Sequence, residues 1–192
     1  MNILILGPQG AGKGTQAKRI AAEYGLPHIA TGDILREAMA EDTPLGREVR
    51  PIYDSGGLVP DDLMIELIRD RLSQPDTPDG FILDGFPRTF AQAEALDAML
   101  RDIDRPLDLV LELQVPDGVA VERLSRRAAL EGRPDDTPEA IRRRLELYHE
   151  ETEPLVEYYR ARGNVVGIRG NRSENEVFAE VQRAVEQAGA VA

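Results

Sequence analysis

A glycine-rich segment with one lysine lies near the start of the chain, between an apolar run and a helical pattern. The apolar run covers residues 2–6, Gly7 and Gly12-Lys13 frame the segment, and an apolar periodicity covers residues 15–24. This G-x-x-x-x-G-K spacing between a strand and a helix is typical of a phosphate-binding loop. Glycines let backbone N–H groups converge on an anion, and the helix N-terminus adds its positive dipole. The segment therefore predicts a nucleotide site in which Lys13 reaches the outer phosphates.

Two details of this segment bear on its chemistry. An ordinary glycine-rich turn would share the glycines but not the full spacing. Lysine occurs only at positions 13 and 18, so Lys13 does not reflect a lysine-rich composition. The hydroxyl residue that usually follows the lysine and ligates Mg²⁺ is Gly14 here, with Thr15 one place later. The loop alone therefore leaves the metal ligand open.

An aspartate at the end of another apolar run is the second candidate for phosphate chemistry. Asp84 directly follows the apolar residues 81–83. Phosphate-loop enzymes place a Mg²⁺-organising carboxylate at the end of such a strand. The alternative is a buried aspartate that caps the turn at Gly85. The combination with a phosphate loop favours the metal-organising role.

Arginines are concentrated in one stretch of an otherwise acidic chain. Residues 122–144 hold seven arginines and five acids, whereas the whole chain has a formal net charge of −12. Guanidinium groups bind phosphate through two parallel hydrogen bonds, so a loop flanked by these arginines could cover a polyphosphate. Ion pairing on a solvated helix is the alternative, and we expect it for Arg126, Arg142 and Arg143. The candidates for phosphate binding are Arg88, Arg123, Arg127, Arg133 and Arg144.

Five apolar runs alternate with helical patterns, which predicts a parallel sheet with its ligands at the carboxyl ends of the strands. The predicted strands are residues 2–6, 27–30, 81–84, 107–115 and 164–168. The predicted helices are residues 15–24, 31–39 (capped at Thr31 or Asp33), 45–53 (interrupted at Pro51), 61–72, 89–100, 119–127, 139–162 (kinked at Pro154) and a last one capped by Ser173. A loop is predicted from residue 128 to residue 138. Residues 30–59 are interpreted as a helical insertion into a single α/β domain of residues 1–192.

The composition argues against several classes of function. The acidic net charge disfavours general nucleic-acid binding, and no apolar run is long enough to span a membrane. The chain has no cysteine, which excludes disulfides and thiolate zinc sites. Its two histidines, His28 and His149, show no ligand spacing and are interpreted as structural. Without a signal peptide, a cytoplasmic location is expected.

Five segments, in order along nearly the whole chain, together resemble adenylate kinase. They are GPQGAGKGTQ (residues 7–16), TGDILR (31–36), GLVPD (57–61), GFILDGFPRT (80–89) and GRPDD (132–136). The run DGFPR within the fourth segment is highly specific. Gln9 departs from the proline that is common at its position, whereas Gly14 is the residue that the family itself has.

The resemblance implies an architecture as well as a function. The fold would be an α/β, phosphate-loop NTPase-type parallel five-stranded sheet flanked by helices. Residues 30–59 would be the AMP-binding insertion, and residues 126–136 a short lid of the zinc-free kind. Mg²⁺ would be held mainly by phosphates and water, with Asp84 behind the water. The partners would be ATP, AMP and ADP, and the protein would be a monomer.

The resemblance also assigns roles residue by residue. ATP would be bound by Gly10, Ala11, Gly12, Lys13, Gly14, Thr15 and Arg127, and by the backbone of Arg172. The adenine of AMP would meet Thr31, Gln92 and the backbone of Gly57, Leu58 and Val59, and the rest of that site would include Gly85, Phe86 and Pro87. Arg36 and Arg88 would hold the AMP phosphate, Arg133 and Arg144 would bridge the exchanging phosphates, and Arg123 would lie near the transferred phosphoryl group.

The implied reaction is the reversible transfer ATP + AMP ⇌ 2 ADP, with Lys13 and the arginines Arg88, Arg123, Arg127, Arg133 and Arg144 as the catalytic residues. Positioning and charge stabilisation accelerate phosphoryl transfer, so no general base is required. A UMP/CMP kinase of the same fold is one alternative, although Thr31 favours adenine. A nucleotide-binding switch or ATPase without kinase activity is the other. It accounts for the phosphate loop but not for Thr31, Gln92, Arg88 and the lid arginines together.

Overall fold

A five-stranded parallel sheet forms the centre of the molecule, as the sequence predicts. The structure is a computed structural model that describes residues 1–132 and 135–190. The strands are β1 (Asn2–Leu6), β2 (His28–Ala30), β3 (Phe81–Asp84), β4 (Leu109–Gln114) and β5 (Val165–Arg169). Their order in the sheet is β2-β3-β1-β4-β5, and every neighbouring pair is parallel. Parallel neighbours need crossover connections, which the helical patterns between the apolar runs supply.

Helices connect these strands. In the described part of the chain they are α1 (Lys13–Tyr24), α2 (Thr31–Ala40), α3 (Pro44–Asp54), α4 (Asp61–Leu72), α5 (Phe90–Asp102), α6 (Asp117–Glu131), α7 (Pro138–Leu147), α8 (Pro154–Arg160) and α9 (Glu174–Gly189). Ser173 caps α9 through reciprocal bonds with Glu176, which confirms that predicted cap. None of these helices is long and apolar enough to cross a membrane.

The central strand β1 is buried on both faces, which explains its uninterrupted apolar sequence. Successive side chains of a strand point to opposite faces of the sheet. Leu4 and Leu6 accordingly belong to one hydrophobic core, and Ile3 and Ile5 belong to the other. The sheet therefore separates two hydrophobic cores, and a ligand can reach only the ends of its strands.

The register of the strands brings three predicted site segments to one edge of the sheet. Ile5 of β1 and Ala30 of β2 both pair with Asp84 of β3. At nearly the same level of the sheet, β1 leads into the phosphate loop, β2 into the start of α2, and β3 into the turn after Asp84. The carboxyl ends of the strands thus form the floor of a common site.

The segment of residues 30–59 differs from the prediction in two places. Helix α2 begins at Thr31 and its N-cap is Ala30, so neither Thr31 nor Asp33 caps it. The Thr31 hydroxyl instead donates to the carbonyl of Asp84 at 3.4 Å. Helix α3 continues through Pro51, where a break is predicted. Pro51 and Arg47 are both exposed, so water can bond the Arg47 carbonyl that loses its helical partner.

The stretch around residues 128–162 is more helical than predicted at its start and is divided near its end. Helix α6 continues through residues 128–131, which are predicted as a loop, and ends at Gly132. Three of those four residues, Ala128, Ala129 and Leu130, are strong helix formers, and a glycine is the usual stop. The predicted helix 139–162 is divided by a π-helical turn, Tyr148–Thr152, just before Pro154. The Glu153 N–H donates to the Tyr148 carbonyl at 2.8 Å, so the helix widens before the proline.

Candidate active site

A cleft of about 510 Å³ lies at the carboxyl edge of the sheet. This volume falls within the usual range for small-molecule sites. Most of the predicted site residues line it, namely Gly10, Ala11, Gly12, Lys13, Gly14, Thr15, Arg36, Gly57, Asp84, Gly85, Arg88, Arg123, Arg127, Arg144 and Arg172. A smaller adjoining cavity is lined by Leu58 and Pro87, together with Lys13, Gly85, Arg88 and Arg144. The fold therefore assembles residues from both halves of the chain around one space.

The phosphate loop holds its lysine with its own backbone. Lys13 Nζ donates to the carbonyls of Gly7 at 2.8 Å and Pro8 at 3.0 Å. Burial lowers the pKa of Lys13 to about 8, with Arg88 and Arg127 adding to the effect and Asp84 opposing it. Gly10 has a φ of +82°, and a Cβ atom there would lie 2.6 Å from the Ala120 carbonyl. Only glycine allows the loop to pass this close to α6.

Arg123 braces the phosphate loop from behind. Its guanidinium donates to the carbonyls of Gly10 at 3.4 Å, Ala11 at 3.3 Å and Gly170 at 2.9 Å. These bonds tie the loop on one side and the segment after β5 on the other to helix α6. The positive charge of Arg123 adds to the positive field of the loop, and its hydrogen bonds stabilise the conformation of the loop.

Asp84 is positioned to organise a metal ion. A Cβ atom on Gly14 would lie 3.6 Å from Asp84 Oδ2, so the carboxylate faces the start of α1. Burial alone would raise the pKa of Asp84, but His28, Lys13 and Arg88 outweigh burial and hold the pKa below its usual value. The His28 imidazole Nε2 lies 3.6 Å from Asp84 Oδ2. Asp84 is therefore an ionised acceptor in the wall of the cleft.

No group of three or more acidic or histidine side chains that could hold a metal occurs among residues 1–132 and 135–190. Mg²⁺ usually keeps several waters and takes its remaining ligands from one or two carboxylates and the substrate phosphates. A single ionised carboxylate next to a phosphate loop fits that donor set. Mg²⁺ would therefore enter together with a nucleotide.

The wall opposite the phosphate loop carries Arg36 and Arg88. Arg36 donates to the Asp33 carboxylate and to the Tyr53 hydroxyl. Arg88 Nε donates to the Gly85 carbonyl at 2.8 Å. Burial lowers the pKa of Arg88, and the neighbouring Arg144 and Arg36 guanidinium groups add to this effect. These cations are held close together, which is unfavourable without an anion between them.

Two buried aspartates, Asp135 and Asp136, hold Arg127 and Arg144. Asp136 accepts from Arg127 at 2.7 and 2.8 Å and from Arg144 at 2.8 Å. Asp135 accepts from Arg144 at 2.9 Å. The sequence places both acids in a family motif but does not show which arginines they contact. Arg133, which is predicted to bridge the exchanging phosphates, lies outside the described residues.

Four predicted AMP-site residues are buried and do not line either cavity of the described part of the chain: Thr31, Val59, Phe86 and Gln92. Gln92 accepts from the Arg88 N–H at 2.8 Å, and its amide donates to Asp61 at 2.8 Å. Thr152 donates to the Arg88 carbonyl at 2.8 Å. Gln92 and Thr152 thus fix the backbone of Arg88, and contact between the four buried residues and AMP stays a prediction.

The remaining arginines occupy the rim. Arg172 forms an ion pair with Glu180, and its Nε donates to the Arg169 carbonyl at 3.2 Å. Its side chain is thereby engaged within the protein, which agrees with a role for its backbone alone. Arg126 pairs with Glu122 at 2.7 Å on the exposed face of α6, which confirms the solvated pairing expected for that residue.

Sequence comparisons agree with this geometry. The adenylate kinase family model matches residues 5–164 of the chain. An adenylate kinase of Thermus thermophilus is 52% identical over 183 residues, which cover 95% of this chain and 96% of that protein. The adenylate kinase of Cyanothece sp. strain PCC 7425 is 51% identical over 185 residues, 96% of this chain and 95% of that protein. That of Maricaulis maris is 49% identical over 187 residues, 97% and 100% of the two chains. The chain therefore belongs to the adenylate kinase family.

Proposed function

We propose that this protein catalyses the reversible, Mg²⁺-dependent transfer ATP + AMP ⇌ 2 ADP. The observation that carries the proposal is one shared cleft, which is lined by the phosphate loop, by the ionised Asp84 and by several arginines. A protein that only bound or hydrolysed one nucleotide would not need cations on both walls. Family membership supports the same reaction.

The phosphate loop, residues 10–15, would hold ATP, and Arg36 and Arg88 would hold the phosphate of AMP. The two nucleotides would then meet end to end in one cleft, with the transferred phosphoryl group between Lys13 and Arg144. Such in-line positioning supplies much of the acceleration of phosphoryl transfer. Preorganised cations stabilise the charge that spreads over the transferred group.

Each arginine of the cleft already has a partner that a phosphate could replace or join. Arg36 pairs with Asp33, whose side chain is 56% exposed. Exchanging this carboxylate for a phosphate therefore costs little free energy. Arg144 is only 7% exposed and is held by two buried carboxylates. We therefore propose that Arg36 reorients onto AMP, whereas Arg144 acts where it stands.

Mg²⁺ would be held by the ATP phosphates and by water bonded to Asp84. When bound, it would neutralise charge on the phosphates. Residues 30–59 would serve as the AMP-binding insertion and residues 126–136 as the lid, and both would close on the substrates to exclude water. A monomeric state, a cytoplasmic location and the lack of nucleic-acid binding also stay predictions.

The proposal is tested by measuring ADP formation from Mg²⁺-ATP with AMP, UMP or CMP in parallel. We expect kcat/KM for AMP to exceed that for UMP and CMP by at least tenfold, because Thr31 favours adenine. A preference for UMP or CMP would favour the pyrimidine kinase of the same fold. ATP hydrolysis without AMP-dependent ADP formation would instead favour the nucleotide switch or ATPase.

A further inference from the structure

Tyr53 lies where residues 30–59 meet helix α7, although it belongs to none of the family-like segments. It lies at the end of α3, the last helix of the insertion, and its side chain lines the cleft. Its contacts reach Arg36 on α2 and Arg144 on α7. Tyr53 therefore forms hydrogen bonds with two arginines of the cleft that lie on different helices.

The Tyr53 hydroxyl accepts a hydrogen bond from Arg36 Nη1, and Arg36 Nη2 is bonded to Asp33. The exposed Asp33 carboxylate restrains the guanidinium only weakly, so the rigid phenol ring is the more directional support. Burial would lower the pKa of Arg36, but Tyr53 and Asp33 outweigh burial and raise it. A Cβ atom on Gly32 would lie 3.2 Å from Arg36 Nη1 and 3.6 Å from the Tyr53 hydroxyl. Because residue 32 is a glycine, the Arg36 guanidinium and the Tyr53 hydroxyl have room beside it.

Tyr53 also supports Arg144. The Arg144 guanidinium carbon lies 5.4 Å from the centre of the Tyr53 ring, which is within the range of a cation–π interaction. Arg144 Nη2 donates to the Tyr53 carbonyl at 3.3 Å. The end of α3 is seated directly on α7, because a Cβ atom on Gly56 would lie 2.6 Å from the Ala140 carbonyl. The ring and the carbonyl of Tyr53 are therefore fixed against the helix that carries Arg144.

On the basis of the function proposed above, we propose that Tyr53 is a positioning residue that sets the orientation of Arg36 and Arg144 toward the phosphates. Its hydroxyl aims Arg36 at the phosphate of AMP, and its ring keeps Arg144 beside the transferred phosphoryl group. The chain of contacts continues from Arg144 through Asp136 to Arg127. Tyr53 thus links the acceptor site to the lid.

The two parts of the side chain can be separated by substitution. Tyr53→Phe removes only the hydroxyl, and we expect KM for AMP to rise about fivefold or more, since a hydrogen bond to a charged group is lost. KM for ATP and kcat should stay within about twofold. Tyr53→Leu removes the ring as well, and kcat should then fall by about tenfold while KM for AMP rises as in Tyr53→Phe. Tyr24→Phe, a similar change on α1 away from the cleft, should alter neither constant.

A double-mutant cycle shows whether the hydroxyl acts through Arg36. In an Arg36→Met background, Tyr53→Phe should cause no further rise in KM for AMP, because the guanidinium that the hydroxyl orients is gone. Equal effects in both backgrounds would overturn the proposal, since the hydroxyl would then act on AMP by itself. An unchanged KM for AMP in Tyr53→Phe, in an enzyme that makes ADP from AMP, would also overturn it. A wild-type protein without AMP-dependent ADP formation would instead overturn the proposed function.

Thermal unfolding of the same variants separates positioning from a general structural role. Tyr53→Phe keeps the ring and should melt within about 2 °C of the wild type. The rise in KM for AMP should therefore occur in a fully folded protein. A fall in melting temperature with KM for AMP and KM for ATP rising in parallel would mean that Tyr53 only stabilises the fold.

Discussion

The two walls of the cleft hold their cations in different ways. On the phosphate-loop wall, Lys13 and Arg123 donate to backbone carbonyls of the loop and of the segment after β5. On the opposite wall, Arg88 also donates to a backbone carbonyl, that of Gly85. The other three arginines of this wall donate mainly to side chains: Arg36 to Asp33 and Tyr53, and Arg127 and Arg144 to Asp135 and Asp136. Backbone partners fix a cation rigidly to the fold, whereas side-chain partners can be exchanged for phosphate oxygens. Under the proposed function, the phosphate-loop wall would be a prebuilt site for ATP, and on the opposite wall Arg36 would exchange Asp33 for the phosphate of AMP.

The largest expected effect comes from replacing Asp136, the carboxylate that holds Arg127 and Arg144. Asp136 is fully buried between Arg127 and Arg144, and breaking a buried ion pair from one side costs about 3–5 kcal/mol. Asp136→Asn should lower the free energy of unfolding in urea by about 3 kcal/mol. The matched control is Asp42→Asn, which breaks the exposed pair with Arg47 and should cost less than about 1 kcal/mol. Equal losses in the two variants would contradict the assignment of Asp136 as an anchor.

The next largest effect concerns Arg88, on the wall opposite the phosphate loop. Removing one preorganised charge donor typically lowers turnover by about a hundredfold or more. Arg88→Ala should therefore lower kcat by at least that factor, as steady-state kinetics would show. Arg101→Ala, at an exposed position on α5, serves as the control and should have near-normal turnover. A near-normal kcat in Arg88→Ala would remove Arg88 from the catalytic residues.

Proton uptake on nucleotide binding should distinguish the two walls. The pKa of Lys13 is lowered to about 8, so this side chain is roughly half protonated at pH 8. ATP phosphates should raise that pKa, and ATP binding at pH 8 should take up about half a proton. Arginine remains protonated at this pH, so AMP binding should take up none.

Calorimetric titrations in buffers of different ionisation enthalpy measure this uptake directly. The proton uptake with ATP should disappear in Lys13→Arg at pH 8, where the phosphates of ATP and AMP are already ionised. Equal proton uptake with ATP and AMP would contradict the difference between the walls.

The smallest expected effect lies outside both walls, at the π-helical turn. His149 contacts Glu153 at 2.8 Å and Asp117 at 3.0 Å, and the hydrogen bond with Glu153 is the main cause that raises the pKa of His149. A raised pKa stabilises the fold below the unfolded pKa of about 6.5, and this gain is lost as the pH rises through the folded value. The residues are largely exposed, so His149→Gln should cost less than about 1 kcal/mol at pH 5.5. Urea unfolding should show almost no difference at pH 9, and a loss that grows with pH would contradict this account.

The features that the sequence predicts well depend on local patterns. The five strands, the phosphate loop and Asp84 follow from apolar runs, glycine spacing and a strand end, and the structure brings them together at one edge. The extension of α6 through Leu130 could have been predicted from helix propensity. The turn residues at the end of the 128–138 stretch favour a loop there instead.

The features that the sequence does not predict depend on tertiary contacts. Tyr53 has no motif, and its role follows only from the packing of α3 on α7. The resemblance assigns Thr31 to the adenine of AMP, yet Thr31 is fully buried with its hydroxyl on the Asp84 carbonyl. No periodicity or spacing in the sequence indicates that this side chain lies beneath the cleft. Contact between Thr31 and AMP stays a prediction.

The most direct test of the account is a crystal structure with a bisubstrate analogue in which a polyphosphate chain joins two adenosines. One end of the polyphosphate should lie in the phosphate loop, against residues 10–15, which include Lys13. The other end should lie between Arg36 and Arg88, with Asp33 displaced from Arg36 and Tyr53 still bonded to it. Both adenosines on the phosphate-loop wall, or a second phosphate that contacts neither Arg36 nor Arg88, would contradict the division of the cleft into donor and acceptor walls.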